Sequence, residues 1–93
     1  MDKQPGIRRD ALYTVILAPS YRGEEIKFEG YAKSVSSKNP EGNFDVLPEH
    51  ENFVTLIVEG VVIVDENGQK HEFKLGKGLL EAESNLVKIF VEF

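Results

Sequence analysis

Asn39-Pro40-Glu41-Gly42-Asn43-Phe44-Asp45-Val46-Leu47-Pro48-Glu49-His50 decides how this chain is read. Asn39-Pro40-Glu41-Gly42 is a tight loop, and Gly42 gives it a backbone conformation closed to other residues. Phe44 and Val46 share one face of a short strand and anchor the loop to the core. Pro48 ends that strand because it has no amide hydrogen to donate. His50 both donates and accepts hydrogen bonds, so it is suited to tie the following turn to a neighbouring backbone group. Loop, strand and Pro-x-His turn together predict a corner between β-strands.

Outward from this corner the period is two almost everywhere. Leu12 to Ala18 is apolar on both faces, as in a central strand. Glu24 to Phe28 alternates, with Ile26 and Phe28 expected inward. Gly30 marks a kink into Tyr31 to Ser36. Phe53 to Val58 and Val61 to Val64 are continuous apolar runs flanking Glu59-Gly60, read as a tight bend. Asp65-Glu66-Asn67-Gly68 is a hairpin turn. Lys70 to Leu75 places His71, Phe73 and Leu75 on one face. Leu79 to Ala82 is short, and Glu83-Ser84-Asn85 turns the chain into a last strand with Val87, Ile89, Val91 and Phe93 inward. All 4 prolines fall between these runs. The expected fold is all-β, a two-sheet β-sandwich of about nine to ten short strands, with turn signals at roughly 8–12-residue spacing. Residues 1–10 read as a mobile polar tail ahead of a single domain over 11–93, and Arg8-Arg9 as solvated charge.

Composition narrows the function. The 93 residues carry a net charge of −5, which disfavours a polyanion partner, so no nucleic acid is expected. There is no cysteine, hence no disulfide and no thiolate zinc site. No apolar run approaches the about 20 residues of a membrane-spanning helix, and the first residues lack the apolar core of a signal peptide. Gly76-Lys77-Gly78 has neither the third glycine nor the following helix of a phosphate loop, and reads as a turn or bulge. His50 and His71 have no ligand-spaced partners, so no metal and no cofactor are expected. Glu49 and Glu51 flank His50 but point different ways, unlike a general acid/base pair. No catalytic residue is expected.

The order and spacing of these elements, strongest over Gly42 to His50 and extending from about Tyr13 to Phe93, resemble the N-terminal β-sandwich domain of the epsilon subunit of F-type ATP synthases. The resemblance implies a non-catalytic central-stalk subunit, peripheral on the cytoplasmic face of the membrane. Such a subunit binds gamma and the membrane rotor ring of c subunits, coupling proton translocation to ATP synthesis. It implies a ring-facing loop at Glu41, Gly42 and Asn43 and a gamma-facing turn at His50, on the same end of the domain or an adjoining face. The isolated domain is expected to be monomeric. The chain departs from the family after His50, where Glu51-Asn52 replaces a small residue and a proline, and at Gly76-Lys77-Gly78, where the family has paired glycines. The family's C-terminal helical hairpin has no counterpart before Phe93, so its inhibitory contacts and ATP site are not assigned. The alternative reading is a freestanding β-sandwich module with an unrelated protein partner.

Overall fold

The computed structural model describes residues 8–21 and 23–92. Six strands follow one another: β1 (Leu12–Ser20), β2 (Gly23–Asn39), β3 (Gly42–Val46), β4 (Phe53–Asp65), β5 (Lys70–Glu83) and β6 (Leu86–Glu92). There is no helix among the described residues. The strands run in the order β1-β6-β5-β4-β2-β3, and a β1–β2 pairing closes the sheet on itself. All pairings are antiparallel except β1–β6.

The fold is all-β as expected, but the strand count is not. The nine apolar runs are straight segments of six longer strands, and their pairing forms one closed sheet rather than two separate ones. Three of these strands change direction without losing their hydrogen bonds. β2 pairs with β1 as far as Ala32, and from Ala32 onward with β4. In β4 the residues Glu59 and Gly60 take φ of 75° and 147°, and the register to β5 slips between Val58 and Gly60. Glu59 alone lies opposite Leu75-Gly76 of β5, so the bulge is in β5 and Glu59-Gly60 is a bend within a continuous strand rather than a turn between two. β5 carries the extra residue at Leu75-Gly76 and pairs with β6 from Lys77 onward. A bulge interrupts the alternation visible in a sequence while leaving the ladder intact, which is why periodicity overcounts strands here.

The core gathers side chains from every strand. Leu12, Ile16, Val35, Val46, Ile57, Ile63, Leu80, Val87 and Ile89 are all at most 1% exposed. At about 1.5–3 kcal/mol for each large apolar side chain removed from water, these dominate the favourable side of folding. Phe28, Phe44, Phe53, Phe73 and Val91 pack around them, partly buried. Ile26 departs from expectation: it is 56% exposed. The β1–β2 register slips between Ile16 and Leu17, so Phe28 lies opposite buried Ile16 while Ile26 lies opposite the outward Leu17. One extra residue, Lys27, moves Ile26 to the outer face.

Candidate functional site

Two exposed features come from the stretch that decided the fold. The first is the β2–β3 hairpin, in which Lys38 pairs with Asn43 and Asn39 with Gly42 around a two-residue tip, Pro40-Glu41. Gly42 has φ of 128°, so glycine is required there. The Asn39 carboxamide holds the tip from both sides. Its Oδ1 accepts from the Glu41 amide at 2.9 Å, and its Nδ2 donates to Thr55 Oγ1 on β4 at 3.2 Å. The Ser37 hydroxyl donates to the Gly60 carbonyl at 2.6 Å, and Lys38 pairs with Glu59 at 3.1 Å, fastening the hairpin to the β4 bend. Glu41 and Asn43 remain exposed. As expected, Phe44 and Val46 anchor the hairpin: Val46 is fully buried and Phe44 packs against the core, half-buried.

The second feature is the turn after β3. The His50 amide donates to the Leu47 carbonyl at 3.1 Å, closing a turn in which Glu49 has φ of 66°. A turn with positive φ at its third residue is one where glycine is the usual occupant. The His50 ring packs on Phe53 at 5.0 Å between centroids, and Phe53 meets Phe44 edge-on at 5.9 Å. His50 is exposed. The hairpin tip precedes β3, and His50 follows it across the Leu47–His50 turn. The Phe44–Phe53–His50 stack links the two beneath.

Two residues that periodicity could not single out complete this end of the molecule. Asn85 is 8% exposed and has φ of 63° in the two-residue turn between β5 and β6. Its Oδ1 accepts from the Glu49 amide at 2.6 Å, its Nδ2 donates to the Arg8 carbonyl, and its own carbonyl accepts from the Tyr13 amide at 2.9 Å. Arg8 is partly exposed and makes specific contacts. Its guanidinium sits 4.5 Å above the Tyr31 ring and pairs with Asp10 at 3.1 Å and Glu66 at 2.9 Å. Those two carboxylates raise its pKa, while Arg8 in turn lowers that of Asp10. Arg9 is 88% exposed and reaches Glu49 at 3.4 Å. Residues 1–7 lie outside the described residues, as do Arg22 and Phe93.

Neither feature assembles reactive chemistry. His50 Nδ1 bonds the Glu51 carbonyl at 2.8 Å. His71 Nε2 bonds Asp65 Oδ2 at 2.8 Å, and its ring packs on Phe28 at 5.2 Å. Among the described residues no three His, Cys, Asp or Glu side chains come together as metal ligands. The groove beside the hairpin, about 490 Å³, is open and is lined by Lys38, Asn43, Phe44 and Glu59. Tyr13 hydrogen-bonds Glu29, and burial, followed by that carboxylate, pushes its hydroxyl up to about 12. No helix among the described residues is long and apolar enough to cross a membrane.

Residues 22–93 match the family described as the ATP synthase delta/epsilon chain, beta-sandwich domain. The chain belongs to that family. It is 31% identical over 84 residues to the ATP synthase epsilon chain of Nitratiruptor sp., covering 89% of this chain and 62% of that protein. It is 34% identical over 65 residues to the ATP synthase epsilon chain of Helicobacter pylori strain P12, covering 70% and 53%. The chain thus spans between half and two-thirds of the length of these relatives. Among solved structures, a chain in the Euglena gracilis mitochondrial ATP synthase superposes with a TM-score of 0.77 at 17% identity, covering 97% of this chain and 56% of that one. A chain in the central stalk and c-ring of the Tetrahymena thermophila enzyme gives 0.61 at 13%, covering 87% and 64%. At these identities the structural likeness concerns the fold. Together, family and relatives identify the domain as the N-terminal β-sandwich of an ATP synthase epsilon chain.

Proposed function

We propose that this domain is the non-catalytic central-stalk element of an F-type ATP synthase. It binds gamma and the membrane rotor ring and so couples proton translocation to ATP synthesis. The observation that carries this reading is the family match over residues 22–93, which includes both exposed features. The rotor reading requires two different protein contacts, and the domain offers two exposed features flanking β3, each braced from the core. Glu41, Gly42 and Asn43 meet the rotor ring and His50 meets gamma. A protein in this role is peripheral on the cytoplasmic face of the energy-transducing membrane and is not an enzyme. The partners are proteins, and affinity comes from shape and a few anchoring side chains rather than from a chemical site.

Reconstitution tests the proposal. The protein is mixed with gamma and with the rotor ring in detergent, separately and together. Co-elution with gamma and a ternary complex with the ring are the expected results. Failure to bind gamma at about 10 μM would defeat the rotor reading and favour a freestanding module with another protein partner.

A further inference from the structure

The outer face of the closed sheet carries one uninterrupted apolar row. Leu56 on β4 pairs with Leu79 on β5, Leu79 with Phe90 on β6, Phe90 with Leu17 on β1, and Leu17 with Ile26 on β2. The row crosses five strands, about 19 Å at the usual strand spacing. Its two ends, Leu56 and Ile26, are 63% and 56% exposed. A single outward leucine is ordinary, but a row spanning five strands is not.

The rows on either side of it are charged, and their order matters. On one side Glu81 pairs with Lys88, and Lys88 with Val15. On the other side Lys77 pairs with Glu92. Pro19 lies two residues beyond Leu17, on the same strand and face. A two-fold axis laid along the apolar row stacks each flanking row on the opposite one of a second copy. Glu81 then faces the second copy's Lys77, and Lys88 faces its Glu92. Val15 faces Pro19, and Val54 on β4 faces Val58. Every central position meets an opposite charge or an apolar group. Only Glu29 against Glu24, at the β2 rim, is repulsive.

We infer that this face is self-complementary and that two copies of the chain associate through it in the absence of other partners. A C2 interface must be matched to itself in this way. The sheet closes on itself, so its outer face is convex and contact centres on β5, β6 and β1, where the complementary pairs lie. The patch is a few hundred Å² per copy, below the about 800 Å² per partner of stable complexes, so the dimer is weak and forms at high concentration. Pairing covers an apolar row that would otherwise face water.

Sedimentation equilibrium from about 10 μM to about 1 mM at low salt tests this. The native chain should show a monomer–dimer equilibrium. Lys77→Glu and Glu81→Lys should each raise the dissociation constant about tenfold or more, because each places like charges face to face twice per dimer. An equimolar mixture of the two variants, one of them isotope-labelled, should regain a dimer that native mass spectrometry identifies as the heterodimer. A native chain that stays monomeric to about 1 mM overturns the proposal and leaves the row to a different partner. Single variants that dimerise like the native chain, or a mixture that does not recover, overturn it equally.

Discussion

The Glu49 amide donates to Asn85 Oδ1 at 2.6 Å, joining the turn after β3 to the turn between β5 and β6. These residues are 36 apart in sequence, and both have positive φ. Because Asn85 also holds the Arg8 carbonyl and the Tyr13 amide, one carboxamide residue fixes the His50 turn, the entry to β1 and the β5–β6 turn together.

Asn85→Ala should therefore destabilise the fold by about 2–4 kcal/mol. It removes two side-chain hydrogen bonds at a buried site and puts a β-carbon residue that cannot hydrogen-bond locally at positive φ. Asn85→Gly keeps the backbone conformation and should cost roughly 1 kcal/mol less than the alanine change. Urea denaturation of the two variants and the native chain gives both differences.

Glu49 holds a backbone conformation that glycine adopts more easily, and its side chain makes one exposed pair to Arg9. Glu49→Gly should relieve about 1–2 kcal/mol of steric cost, against about 0.5–1 kcal/mol of added unfolded-chain entropy. The exposed pair adds little to the balance. A melting temperature at or a few degrees above the native one is the expected result. A clear fall would mean that the Glu49 side chain contributes more than its exposure suggests.

Much of this was legible in the sequence, and the rest failed for definable reasons. The corner at Gly42 to His50, the Asp65–Gly68 hairpin and the inward face of β6 from Val87 to Val91 follow from turn chemistry and alternation. These are local signals, and no distant residue contradicts them. Leu12 to Ala18, by contrast, is apolar on both faces and does not show which side of β1 is buried. Ile26 was misplaced because the bulge at Lys27 depends on how β2 pairs with β1, which no window of β2 reveals. Glu59-Gly60 looked like a turn because glycine marks turns and bends within strands alike. Asn85 was legible as a turn residue but not as the partner of Glu49, since its side-chain contacts are set by tertiary packing. The exposed residues of the candidate interface, Glu41, Asn43 and His50, carry no periodic signal, so only the family resemblance singled them out.

Gly60 is a sharper case than Gly42. A β-carbon at Gly60 would lie 2.5 Å from the Phe73 carbonyl oxygen, and φ is 147°. At Gly42 nothing lies within 4 Å, so the objection there is conformational alone. Gly60→Ala should cost about 3–5 kcal/mol, because strain is joined by a clash with the paired β5 backbone at Phe73. Gly42→Ala should cost about 1–2 kcal/mol. Chemical denaturation of the two variants ranks them.

Asp65 makes stability depend on acid. His71 is the largest cause of its lowered pKa, followed by the Gln69 amide. A carboxylate whose pKa is lower in the folded state stabilises the fold above its unfolded value of about 3.9, and that contribution is lost as pH falls through the folded value. Stability should therefore decline below about pH 4. Asp65→Asn should flatten this part of the pH profile while lowering stability at neutral pH. Unfolding followed between about pH 2 and 7 for both proteins checks the sign.

The interface assignments separate stability from binding. Asn43 is an exposed hairpin residue, so Asn43→Ala should leave stability within about 0.5 kcal/mol of native. Phe44 is half-buried against the core and Phe53, so Phe44→Ala should cost about 2–3 kcal/mol, short of the value for a fully buried ring. His50→Ala loses an exposed ring stacked on Phe53 and should cost no more than about 1 kcal/mol. With folding preserved, Asn43→Ala should weaken assembly with the rotor ring and leave gamma binding intact, and His50→Ala should do the reverse. The two side chains belong to different local features, the hairpin and the turn after β3, so each substitution is expected to act on its own contact. Binding measured with each partner in turn decides the matter. If both folded variants assemble with both partners as the native chain does, the hairpin and turn are corners of the fold, and the contacts to gamma and the ring lie elsewhere on the domain.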